Sequence, residues 1–160
     1  MMLDADAVAR MRAEATLDRD SPLHVTGSAF VVHLPTRRVL LRWHARMKRW
    51  MQVGGHFDPG ETDPLAVALR EAREETGLDD LRPLRNEPLQ VVIVPVDARG
   101  DEPAHEHADV RYLLVTDRPD DARPESPDAP LRWVNLDDAT DEVNEENQRV
   151  FLRRIIEQLI

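Results

Sequence analysis

Residues 55–78 read GHFDPGETDPLAVALREAREETGL. Asp63 offers a side-chain cap, Pro64 suits the first helical position and Gly77 stands where a helix stops, so the spacing predicts a helix over 64–76. Successive helical residues turn by ~100°. That step puts Glu71, Glu74 and Glu75 on one face, with Leu65, Ala68, Leu69 and Ala72 on the adjoining face that would meet a sheet. Like charges on neighbouring turns repel, each pair costing a few tenths of a kcal/mol. A hard divalent cation would offset the repulsion, because Mg²⁺ takes carboxylate oxygens and keeps waters that reach phosphate oxygens. Glutamates solvated beside arginine are the other reading of this helix taken alone.

Outward from the helix, the pattern turns to strands. Leu23 to Leu34 and Val39 to Trp43 flank the turn residues Pro35-Thr36 and predict a strand pair. A basic connection, Arg46 to Arg49, leads to Trp50 to Val53 and a break at Gly54-Gly55. Leu89 to Val96 predicts a strand, and Val110 to Thr116 its partner across a polar loop from Asp97 to Ala108. Four prolines between Arg118 and Pro130 predict an exposed loop. A strand over 131–134 and a helix over roughly 142–159 close the chain. The apolar residues Val150, Leu152, Ile155, Ile156 and Leu159 on that helix suit core packing or a homodimer face. At the other end, Val8, Met11, Ala15 and Leu17 predict a short helix in an N-terminal extension over 1–20. Strands and helices do not alternate as βαβ units, which predicts an α/β chain of the α+β kind, a mixed sheet with helices packed on it.

Composition bounds what such a fold can do. At 160 residues the chain is long enough for one domain with a real core, 1–160, and too short for two of ordinary size. A net charge of -10 argues against a nucleic-acid surface. No apolar run approaches the ~20 residues of a membrane helix, so no membrane partner is expected. The first twenty residues carry no apolar signal-peptide core, and the expected location is cytoplasmic. The absence of cysteine removes disulfides, thiolate metal sites and cysteine nucleophiles together.

The helix and the loop before it resemble the Nudix box, the signature of hydrolases that cleave nucleoside diphosphates linked to another moiety. Gly55, Glu61, Arg70, Glu71, Ala72, Glu74, Glu75, Gly77 and Leu78 fill its pattern in order. Two departures stand out. Eight residues, Thr62 to Leu69, separate Glu61 from Arg70 where the common pattern has seven, and Val53 replaces a frequent proline. The resemblance implies a Nudix-like α/β/α sandwich and a Mg²⁺- or Mn²⁺-dependent pyrophosphohydrolase acting on a phosphorylated small molecule. It implies Glu71, Glu74 and Glu75 as metal ligands, with the carbonyl of Gly55 as a further one. Arg70 would orient the carboxylates, and Glu61 would brace the loop against Arg70. Glu71 is the first choice of general base, with Glu102 and Glu106 as loop candidates. A non-catalytic ligand-sensing module of the same fold is the alternative; the intact glutamates speak against it. An isomerase of the isopentenyl diphosphate type would rely on a cysteine that this chain lacks.

A second constellation follows the polar loop. In an extended segment His105, His107, Asp109 and Arg111 share one side, while Ala108, Val110, Tyr112 and Leu114 take the other. The four polar residues suit contact with phosphate or with the variable part of a substrate, or else a solvated sheet edge. Two histidines and an aspartate are also ligand types for zinc or iron, but the glutamate cluster already supplies a hard-metal site.

Overall fold

A computed structural model describes residues 4–160. In chain order it contains α1 (Ala5–Glu14), β1 (Leu23–His33), β2 (Arg38–His44), β3 (Arg49–Met51), β4 (Val53–His56), α2 (Pro64–Thr76), β5 (Arg82–Pro83), β6 (Gln90–Val96), β7 (His105–Val115), β8 (Leu131–Asn135) and α3 (Glu146–Gln158). Residues 1–3 of the expected N-terminal extension lie outside the described residues, and its helix ends at Glu14. None of the helices described is long and apolar enough to cross a membrane.

The strands form one mixed sheet. Its centre is the parallel pair β1 and β7, in register from Leu23 opposite Glu106 to Val32 opposite Val115. The outer edge of β1 is divided: Thr26 to Ala29 pair with β4, and Val31 to His33 pair with β2, both antiparallel. β7 pairs on its other side with β6 and then β5. The sheet therefore splits between β2 and β4, and the glutamate helix packs beside the split, on β1, β4 and β7.

Strand alternation assigns the two faces. Ala29, Val31, Val110 and Tyr112 pack under Val67, Ala68 and Ala72 of α2, with α1 alongside. Phe30, Val32 and Leu113 point the other way, onto Phe151, Leu152 and Ile155 of α3. Helix on one face, sheet, helix on the other is the expected three-layer sandwich. The apolar face of α3 is thus core, at roughly 1.5–3 kcal/mol for each large side chain removed from water.

Several local expectations are corrected. Leu65 and Leu69 are only half-buried, and Val67, Ala68 and Ala72 are the fully buried aliphatics of α2. Gly54 and Gly55 lie inside β4 opposite Ser28 and Gly27, so the pair is strand rather than break. β7 begins at His105, which shortens the polar loop. The closing helix starts at Glu146, preceded by a 3₁₀ turn at Ala139–Asp141. The caps of α2 match the sequence: Asp63 accepts from the Leu65 N–H at 3.0 Å, and Gly77 ends the helix at φ 70°, where a side chain would be strained.

Candidate active site

α2 projects its acidic side toward the free edge of β4, where two glycines leave room. An added Cβ on Gly55 would lie 2.6 Å from the Glu71 carboxyl carbon, so only glycine permits this approach. Glu75, one turn further on, is 4% exposed. Its Oε1 accepts the Gly54 N–H at 3.2 Å, and its Oε2 lies 3.0 Å from the Arg42 guanidinium. Glu75 thereby joins β2 to β4 across the split in the sheet. Burial pushes the Glu71 and Glu75 carboxyls, one turn apart, upward from the ordinary carboxylate range, and the Glu71 charge adds to the effect on Glu75. With Glu75 on Arg42, and Glu61, Glu71 and Glu74 sharing Arg70, four acids face two arginines and the group is short of positive charge.

Arg70 organises the remaining acids. Its Nε and Nη2 donate to both oxygens of Glu61, at 3.0 and 2.9 Å. Nη2 also donates to the His56 carbonyl at 2.8 Å, and Nη1 to Glu71 at 2.9 Å and Glu74 at 3.3 Å. These bonds hold the Glu61 carboxyl below its ordinary value and raise that of the guanidinium further. The extra residue before Arg70 does not break the contact with Glu61, because Thr62 and Asp63 remain outside the helix. Glu74 stays half-exposed and reaches its neighbours through Arg70.

Glu71 and Gly55 open into a cleft of about 430 Å³ on the α3 side of the sheet. Asp109 and Arg111 form one wall. Of the two readings of this segment, the solvated sheet edge does not hold, because β7 lies between β1 and β6; Asp109 is 6% exposed and Arg111 2%. Asp109 accepts from the hydroxyls of Thr26 and Ser28, both at 2.8 Å, and from Arg111 Nε at 2.7 Å. Arg111 also donates to Gln90 and Asn147, at 2.9 and 2.7 Å.

The two loop carboxylates part company. Glu106 points to the opposite face, where Arg10 of α1 grips both its oxygens at 2.7 and 3.0 Å, so it is not brought to the cleft. Glu102 faces Arg46 and lies 3.6 Å from His105 Nε2 at the mouth of a second depression. His105 and His107 turn into a group of imidazoles at the end of the cleft, together with His24 of β1 and His56 of β4. Burial, then the neighbouring charges, hold His56 and His107 down at about 4, so both rings are neutral at pH 7. His24, His56 and Gln52, whose amide nitrogen donates to Asp109 at 3.4 Å, are participants that the sequence did not single out for this site. Residues 24, 56 and 107 have no common motif, and only strand pairing relates them.

The comparisons with known proteins agree with this geometry. A family model described as NUDIX domain matches residues 23–158. A protein of Lactococcus lactis subsp. cremoris named "Probable DHNTP pyrophosphohydrolase" is 28% identical over 99 residues, covering 62% of this chain and 57% of that protein. The chain thus spans little more than half the length of that relative. Among solved structures, Escherichia coli dihydroneopterin triphosphate pyrophosphohydrolase superposes with a TM-score of 0.68 at 17% identity, covering 87% of this chain and 97% of the other. A Caenorhabditis elegans Ap4A hydrolase complex gives 0.66 at 21%, covering 84% and 96%. At these identities the two structures establish the fold alone.

Proposed function

The chain belongs to the NUDIX domain family, and from that premise we propose that it is a divalent-metal-dependent pyrophosphohydrolase. Its substrate would carry a phosphoanhydride bond in a nucleoside diphosphate derivative or a similar phosphorylated small molecule. The observation that carries this reading is the pair of carboxyls of the half-buried Glu71 and the buried Glu75, set against Gly55 and Gly54 at the edge of a cleft.

The donor set fits Mg²⁺ or Mn²⁺: oxygen atoms only, from Glu71, Glu74, Glu75 and the Gly55 carbonyl, in a pocket short of positive charge. Bound there, such an ion would neutralise charge on the phosphates and acidify a water. Arg70 holds Glu71 and Glu74 in place through one nitrogen, with Glu61 as its own anchor. Glu75 is fixed by Gly54 and Arg42. Glu71 is the residue we assign as general base, because its carboxyl faces the cleft and burial raises its affinity for a proton. In the step proposed, water oxygen bonds to phosphorus, the bond from phosphorus to the bridging oxygen breaks, and the water proton passes to a Glu71 oxygen. Asp109 and Arg111, their hydrogen bonds spent on the sheet and α3, form a fixed wall for the part of the substrate beyond the phosphates.

The reading is tested by phosphate or pyrophosphate release from nucleoside triphosphates, dinucleoside polyphosphates, nucleotide sugars, ADP-ribose and pterin triphosphates, with Mg²⁺ and with chelator. Turnover of at least one compound that requires the metal is expected; activity undiminished in chelator contradicts the mechanism. Gly55→Ala is a second expected outcome. The new methyl must displace the Glu71 side chain, whose end can swing away, so the protein should keep its thermal midpoint within a few degrees while turnover falls by ~10-fold or more. Unchanged kcat in this variant would remove Glu71 from the base role.

A further inference from the structure

We propose that His24, His56 and His107 form a second metal site, separate from the glutamates, that takes a borderline transition-metal cation of the Zn²⁺ class. Each ring offers one nitrogen within 4.8 Å of the other two. Zinc holds imidazole nitrogen at about 2.0–2.1 Å, which puts two ligands of a tetrahedral ion roughly 3.4 Å apart, so small ring rotations would close the set. His105 Nε2 already lies 3.2 Å from His107 Nε2, the spacing of adjacent ligands, and stands ready as a fourth donor.

His24 supplies the independent observation. It is 1% exposed, and its Nδ1 lies 2.9 Å from the Ser21 carbonyl oxygen, which can only accept. Nδ1 therefore carries the proton, and Nε2 presents a bare lone pair. That lone pair is buried and has no hydrogen-bond partner, a state that native interiors rarely leave unexplained. The His24 ring lies 4.7 Å from that of His107 and 5.1 Å from that of His56. A cation among the three rings would satisfy it.

Ligand type and backbone placement agree. Imidazole nitrogens suit Zn²⁺ and its neighbours, whereas Mg²⁺ prefers the oxygens of Glu71 and Glu75. The His105 Nδ1 contact with the Pro103 carbonyl, at 2.9 Å, is the outer-sphere bond that fixes a ligand's tautomer, and Glu102 sits behind that ring with a negative charge. The three ligands come from β1, β4 and β7. Binding would pin these strands at the end of the cleft, and His56 directly follows Gly55. With three protein ligands a fourth position stays open to His105 or to a molecule in the cleft.

The test uses metal and the intact chain and needs no substrate. Protein stripped with chelator is given Zn²⁺ or Co²⁺ in excess Mg²⁺, desalted, and assayed by elemental analysis and visible absorption. The expected result is one tightly held Zn²⁺ per chain, and cobalt bands of the intensity typical of four-coordination. Affinity should fall by ~100-fold or more in His56→Asn and in His107→Gln. Glu75→Gln should keep it. Histidine ring NMR of the unaltered protein checks the assignment even where a variant folds poorly: Zn²⁺ should shift His24, His56 and His107 and leave His33 unmoved. Substoichiometric retention, loss of zinc in Glu75→Gln with retention in the histidine variants, or unshifted His24 resonances would each overturn the proposal.

Discussion

Glu75→Gln is expected to lower kcat by ~100-fold or more, the scale of losing a preorganised charge at a reacting phosphate. The substitution keeps the shape of the side chain and leaves one oxygen to accept the Gly54 N–H. What it removes is the ability to ionise, which burial opposes by pushing the carboxyl up to about 8 and which a bound cation would favour. Because burial outweighs the Arg42 partner and favours the neutral carboxyl, a neutral amide in its place should leave the metal-free variant no less stable than the parent. A lower kcat at an equal or higher thermal midpoint separates a functional role from a structural one. Glu74→Gln provides the contrast. Its side chain is half-exposed, so as the most solvated member of the proposed donor set its loss should cost less than that of Glu75, roughly 10-fold. Equal activity of Glu75→Gln and the parent at saturating Mg²⁺ would contradict the proposed metal site.

Asp109→Ala should be the more damaging change to the fold. The substitution leaves Arg111 buried without its carboxylate and removes the acceptor of the Thr26 and Ser28 hydroxyls. Breaking a buried pair from one side costs about 3–5 kcal/mol, which for a chain of this size corresponds to a fall in thermal midpoint of roughly 6–20 °C. The double variant Asp109→Leu with Arg111→Met removes both charges and should recover part of that loss, since apolar replacement of a buried pair is often close to neutral. Denaturant unfolding of the three proteins gives the cost of breaking the pair and the part recovered when both charges are removed. A cost below about 1 kcal/mol for Asp109→Ala is the value of a solvated pair, and would return these residues to the surface.

The sequence determined by itself everything that depends on neighbours along the chain. Helix 64–76, its Asp63 cap and Gly77 stop follow from local backbone chemistry. So does the common face of Glu71, Glu74 and Glu75, because helical geometry relates residues three and four apart whatever surrounds them. Strand alternation likewise placed His105, His107, Asp109 and Arg111 on one side of β7. What it left undetermined was which side of the sheet would be covered, and how deeply. Asp109 and Arg111 are buried because β1 and β6 flank β7 and α3 covers that face, contacts made across tens of residues of sequence. Glu75 is fixed on Gly54 and Arg42, and Glu106 is diverted to Arg10, for the same reason. The imidazole group is the extreme case. His24, His56 and His107 lie on three different strands with no shared period, and only the parallel register of β1 with β7 and the antiparallel pairing of β4 bring them together. Local periodicity carries the direction of a side chain relative to its own element; the position of one element against another is set by burial of the two apolar faces of the sheet, a property of the whole chain.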